Sequence, residues 1–416
     1  MVKRLSPDET LEGLVRQLNT AARDAPQPLA DSPAEPPARP RSPSGRIEWS
    51  LAAPEPDGRE WLERLLALAR ERFASDLLIV SDTPAALRID GKLERAGGPI
   101  SSAGAGLLCS AIVPVERRAT LAERGSVDFS FELDGLGRFR ANVHRERGRW
   151  AAAVRLFPSD PPDLEALQLP EQVGRFAELG YGLVLVTGPT GCGKTTTLAA
   201  LVRRILERRR VHLISIEDPV EYDHGHGTSV VEHVEIGRDA RSFADALRSV
   251  LRQDPDVLLV GEMRDRESVS IAITAAETGH LVLSTLHTGD GPQTIHRILD
   301  SYPAEQMAAV RAQLAASLAG VVSQQLLPRV DGRGRVPAVE VMRMTHGIRN
   351  LIRRGKIEQL RSQMSLEPAA GMIDFDQSLA RLVRRGLVAV EEARLRAREP
   401  AELDQWLGKP NSGKNL

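Results

Sequence analysis

The stretch "GLVLVTGPTGCGKTTTLAALVRRILERR", residues 182–209, decides the fold. It opens with a continuous apolar run of strand length. It closes with Leu198, Leu201, Val202 and Ile205 at the spacing of one helical face. Between them Gly188 to Thr195 fits G-x-x-x-x-G-K-[ST], the loop whose glycines let backbone N–H groups curl around phosphates. The helix N-terminus that follows adds partial positive charge. The candidate nucleotide site is therefore Gly188, Pro189, Thr190, Gly191, Cys192, Gly193, Lys194, Thr195 and Thr196. Lys194 is expected to reach the β/γ-phosphates of ATP, and the Thr195 hydroxyl to hold Mg²⁺. A plain glycine turn capping a helix is the competing structural reading. Cys192 occupies a variable loop position and is assigned no chemistry.

Downstream, apolar runs alternate with helical patterns: "VHLISIE", "SFADALRSVLRQ", "DVLLVGEM", "RESVSIAITAAET" and "HLVLSTL". Such strands with intervening helices imply a parallel sheet covered on both faces. Ligands of such sheets sit at the strand C-termini. Glu217 and Asp218 end one strand there and Glu262 follows another, so they share an edge with the phosphate loop. Glu217 is the candidate Mg²⁺ group beside Thr195, and Glu262 the candidate base for the attacking water. A solvated acid or a helix cap is the alternative for each. His280 and His287 flank "LVLSTL". Seven strand positions span roughly 23 Å, too far to share a metal ion. His287, at the phosphate edge, is expected to meet the γ-phosphate or Glu262. His280, at the opposite end, is expected to contact a neighbouring subunit or domain, or simply to cap or pack.

Upstream, residues 5–23 carry a short amphipathic helical pattern, and residues 24–57 are rich in Pro, Ser and Ala, a disordered linker. Residues 58–160 read as a small α+β domain: a helix, two short strands, a helical stretch and the meander "VDFSFELDGLGRFRANVHRERGRWAAAVRLF". Residues 175–345 form the α/β part, and 346–416 a helical, basic subdomain and tail. The 416-residue chain has a net charge of −1 and 4% aromatics, which argues against a nucleic-acid groove with stacking residues. Two scattered cysteines exclude a disulfide framework, and no run approaches the roughly 18 apolar residues of a membrane span.

"GPTGCGKTTTLAAL", "ISIEDPVEY", "GRDARSFADALRSVLRQDPDVLLVGEMRD" and "TAAETGHLVLSTLHT" together resemble the Walker A, Asp-box, Walker B and His-box motifs of the type II/type IV secretion and pilus motor ATPases. Within that superfamily the chain is similar to the PilT branch, the pilus retraction ATPases, through "ASDLLIVSDTPAALRIDGKL", "GIRNLIRRGKI" and "GMIDFDQSLARLVRRGLVAVEEA". The four-cysteine zinc module usual in assembly and type II enzymes cannot be built here, so no zinc site is expected. His233, Val234 and Gly347 depart from the family's usual residues.

The resemblance implies a RecA-like P-loop ATPase core, a PAS-like N-terminal domain and a homohexamer with ATP and Mg²⁺ between subunits. It implies a cytoplasmic motor, peripheral at the inner membrane face through a platform protein, with no direct nucleic acid. Arg138, Arg140 and Arg155 match the N-domain arginines placed against the phosphates. Local ion pairing on a strand face is the alternative for each. The function implied is pilus retraction driven by ATP hydrolysis. An accessory pilus or type II secretion-type ATPase is the rival, ahead of a RecA-like nucleic-acid translocase or a regulatory subunit without turnover. Ile348, Leu351 and Ile352 form an apolar stripe flanked by Arg349, Arg353 and Arg354, either a coupling helix or a core-facing one.

Overall fold

The computed structural model describes residues 57–408 apart from Asp90 and Ser159. The helix expected over 5–23 and the Pro-rich stretch lie outside the described residues, except Asp57. That residue is the N-cap of α1 (Gly58–Glu71), its carboxylate accepting from the Arg59 amide.

After α1 come β1 (Asp76–Ile79), β2 (Thr83–Ile89), β3 (Lys92–Ile100), α2 (Ser102–Ile112), α3 (Val115–Arg124), β4 (Ser126–Leu133), β5 (Gly137–Glu146) and β6 (Arg149–Leu156). The strands make an antiparallel sheet in the order β3-β2-β1-β6-β5-β4. Leu62 and Leu66 of α1 and Leu108 of α2 share one core with Leu77, Phe139, Val143 and Val154. Period-two alternation sends those strand residues to the helices and leaves Arg138, Arg140 and Arg155 on the other face. Where two strands were expected between residues 75 and 93, the chain forms β1, β2 and the start of β3.

The helical turn α4 (Glu171–Gly174) leads into the second sheet. Its elements are β7 (Gly182–Thr187), α5 (Lys194–Arg208), β8 (His212–Glu217), β9 (Val230–Glu235), α6 (Phe243–Val250), β10 (Val257–Val260), α7 (Arg266–Glu277), β11 (Leu281–Leu286), α8 (Gly291–Leu299), α9 (Met307–Ser317), β12 (Leu318–Pro328) and β13 (Arg335–Arg343). The order is β13-β12-β7-β11-β10-β8-β9, parallel except for β13. Leu183 and Leu185 of β7 face the core beneath α6 to α10, while Val184 and Val186 face α5. Burial on both faces is why these strands read as unbroken apolar runs. The chain is an α/β protein with a RecA-like core.

Strands β9, β12 and β13 were not expected. Helix α9 runs straight into β12 at Leu318 with no Gly or Pro between them. Parallel pairing with β7, from Leu318↔Leu183 to Ser323↔Thr187, turns that apolar stretch into a strand. Helices α10 (His346–Arg354), α11 (Leu360–Leu366), α12 (Phe375–Arg384), α13 (Val390–Arg396) and α14 (Pro400–Gly408) complete the described chain. Ile348 and Ile352 of α10 are fully buried in the main core, and Leu351 packs against it. Arg349 donates to the carbonyls of Ala315 and Ala316 at the end of α9. The α10 stripe is therefore core packing, and Arg349 a clasp between helices. Among the described residues no helix is long and apolar enough to cross a membrane.

Candidate nucleotide site

Gly188 follows β7 with φ +144°, and a Cβ there would overlap the carbonyl oxygen of Gln324. Gly193, at φ +88°, precedes α5, whose first amides have no side-chain cap. The buried Gln324 of β12 staples this turn: Nε2 donates to the Cys192 carbonyl at 2.6 Å, and Oε1 accepts from Thr197 Oγ1 at 2.9 Å. Beside it, Thr187 Oγ1 donates to Ser323 Oγ at 2.9 Å. Sequence reading missed Gln324 because β12 itself was missed. Pro189, Thr190 and Gly191 are exposed, the Cys192 thiol is buried with its pKa raised by desolvation, and Thr196 Oγ1 accepts from Tyr222 at 3.3 Å.

Lys194 is 8% exposed, and burial lowers its pKa while the Glu262 charge opposes the change. Its ammonium donates to the carbonyls of Gly188 and Pro189 at 3.0 and 3.1 Å and lies 3.4 Å from His287 Nδ1. The other nitrogen of that ring, Nε2, lies 3.7 Å from Glu262 Oε2. His287 thus stands between the loop lysine and the acid beyond β10. Glu262 is also paired with Arg264, which sequence reading did not single out. His280 lies at the far end of β11, its Nδ1 2.9 Å from the Ala275 carbonyl and 3.3 Å from Thr278 Oγ1. It caps the end of α7.

Glu217 ends β8 and is 4% exposed; burial pushes its carboxyl up to about 7, and Oε1 has no hydrogen-bond partner. It lines a small cavity with Thr195, Tyr222, His224 and Gly261. Glu221, four residues on within "EDPVEY", joins the site without a sequence signal of its own. Burial raises its pKa, against nearby Arg155 and Arg140 and a hydrogen bond with Thr195. Asp218 is exposed. Two carboxylates beside the Thr195 hydroxyl, one with an unpartnered buried oxygen, form the hard-oxygen donor set that suits Mg²⁺.

The three arginines divide. Arg138 pairs with Glu235 at 2.8 Å, in a cluster where Ser130 also bonds Glu235 and the Val220 amide donates to it at 3.3 Å. Arg155 pairs with Asp76 at 3.1 Å. Arg140 is exposed, cross-strand from Arg155, with no ion-pair partner among the described residues. Arg140 and Arg155 both act on the Glu221 charge, so the first sheet faces the loop around Thr195.

Glycine loop, buried lysine and acids at the carboxyl edge of a RecA-like sheet define a P-loop ATPase that binds nucleotide. Residues 152–352 match the family model described as type II/IV secretion system protein. The twitching motility protein of Neisseria gonorrhoeae is 44% identical over 325 residues, 78% of this chain and 87% of that protein. The type IV pilus retraction ATPase PilT of Pseudomonas aeruginosa is 42% identical over 340 residues, covering 82% and 98%. Among solved structures, the pilus retraction motor PilT with bound ADP superposes with a TM-score of 0.76 at 43% identity, over 83% of this chain and 98% of that one. The chain belongs to the type II/IV secretion ATPase family, in its PilT-type branch.

Proposed function

We propose that this protein hydrolyses ATP to power type IV pilus retraction, working as a homohexamer on an inner-membrane platform protein from the cytoplasmic side. The single observation that carries the chemistry is the His287 ring between Lys194 and Glu262. An incoming γ-phosphate would take the Lys194 ammonium from the loop carbonyls of Gly188 and Pro189. The free amides at the start of α5 would hold the remaining phosphate oxygens. Glu262 would accept the proton of the attacking water, and His287 would sense the γ-phosphate beside it. Thr195, Glu217 and Glu221 would hold Mg²⁺, which supplies neutralisation of phosphate charge. Arg140, without an ion-pair partner among the described residues, is the arginine left to meet developing charge, while Arg138 ties the first sheet to Glu235 of β9 and Arg155 pairs with Asp76 within the first sheet. The functional division is 58–160, 175–345 and 346–416, with the leader outside the motor.

The test is complementation of a retraction-deficient strain alongside ATPase assays of the purified protein. The wild-type chain restores twitching, and Glu262→Gln binds ATP without restoring it. ATPase activity without restored retraction would point to an accessory or secretion role.

A further inference from the structure

His287 is half exposed, so its place depends on the loop that bears it. That loop, from His287 to Asp290, joins β11 to α8 and is gripped from the far end of the chain. Arg398, between α13 and α14, donates through Nη2 to the Gly289 carbonyl at 2.7 Å. Its Nη1 pairs with Glu340 of β13, whose side chain is 1% exposed. The other Glu340 oxygen accepts the Gly291 amide at 2.8 Å, so both of its oxygens are used. Arg398 is held in turn. Its own amide and that of Glu399 donate to the Asp376 carboxylate at 2.9 and 2.8 Å, and its guanidinium lies 4.8 Å from the Phe375 ring centre.

We propose that Arg398 is a positioning residue, a latch by which the C-terminal helices set the loop bearing His287 against Lys194 and Glu262. A buried carboxylate needs a fixed counter-charge, and a guanidinium fork meets two acceptors at once in one geometry. Here the two acceptors are the Glu340 carboxylate and the Gly289 carbonyl, so fixing one fixes the loop relative to the sheet. A lysine keeps the charge but brings a single ammonium on a flexible stem, so it holds the loop less tightly. The latch also gives the helices after residue 374 a direct hold on the nucleotide site, which none of the nucleotide motifs provides.

The role given to His287 rests on the proposed function, so the test reads the latch in two ways. Hydrogen exchange over residues 287–294 reports the loop without reference to activity. Arg398→Lys should speed exchange there while leaving the melting temperature near that of wild type. Steady-state ATPase should show kcat down roughly 10-fold with KM within about two-fold, the pattern of a displaced group rather than lost binding. In a His287→Ala background the same substitution should cost nothing further. Unchanged exchange in Arg398→Lys, or an equal loss of kcat in both backgrounds, overturns the latch. Should His287→Ala alone turn over normally, the sensing role of His287 fails, and the exchange measurement by itself decides the latch.

Discussion

Replacing Glu217 by glutamine should stabilise the nucleotide-free protein by an amount that grows with pH. The side chain is 4% exposed, its Oε1 lacks a partner, and burial raises its pKa from the ordinary 4.5 to about 7. Below pH 4.5 the carboxyl is neutral in folded and unfolded chains alike, and no cost arises. Between 4.5 and about 7 the unfolded chain releases the proton while the folded chain keeps it, so stability falls as pH rises. Above about 7 both states are ionised and the cost is constant. At about 1.4 kcal/mol per pH unit the full cost is about 3 kcal/mol, of which about 2–3 develops between roughly pH 5 and pH 8. Glutamine has nearly the same shape and no charge, so it escapes the cost. Urea unfolding of both proteins with EDTA, at pH 5, 6, 7 and 8, should show the variant's advantage widening and then levelling. A pH-independent difference would refute the claim that a desolvated carboxyl at Glu217 is poised to receive a cation.

Glu262→Gln should keep ATP binding and lower turnover by at least roughly 100-fold, read by steady-state ATPase and nucleotide titration. Lys194→Ala should weaken ATP binding and abolish turnover, because the phosphate charge loses its buried partner; full ATPase activity would contradict the P-loop assignment. Arg140→Ala should cut kcat with the melting temperature unchanged, whereas Arg138→Ala should lower the melting temperature by breaking the Glu235 cluster. The pair Arg349→Ala, Leu351→Ala should lose stability and ATPase activity together, since Arg349 clasps α9 and Leu351 packs on the core. Retraction lost from a stable, fully active double variant would restore the coupling-helix reading.

The reach of the bare sequence follows from where each interaction lies. Residues 182–209 specify strand, loop and helix because their signals are local: apolar runs, glycines at strained turns, one helical stripe. The meander from 127 to 157 and the acids at 217 and 262 were legible for the same reason. Strand β12 was not, because its apolar residues suit a helix equally well and only pairing with β7 decides the matter. Gln324, which pins the phosphate loop, was hidden with it. Arg138, Arg140 and Arg155 look alike in sequence; the fold pairs Arg138 with Glu235 and Arg155 with Asp76 and gives Arg140 no ion-pair partner among the described residues. The stripe on α10 was visible, but what it packs against was not. Arg398 shows the limit most clearly: 111 positions separate it from His287, and only the folded chain brings its two nitrogens to Glu340 and Gly289. Periodicity and glycine spacing are written within a few residues of one another, whereas the partner of a buried charge is chosen by whatever the fold carries to it.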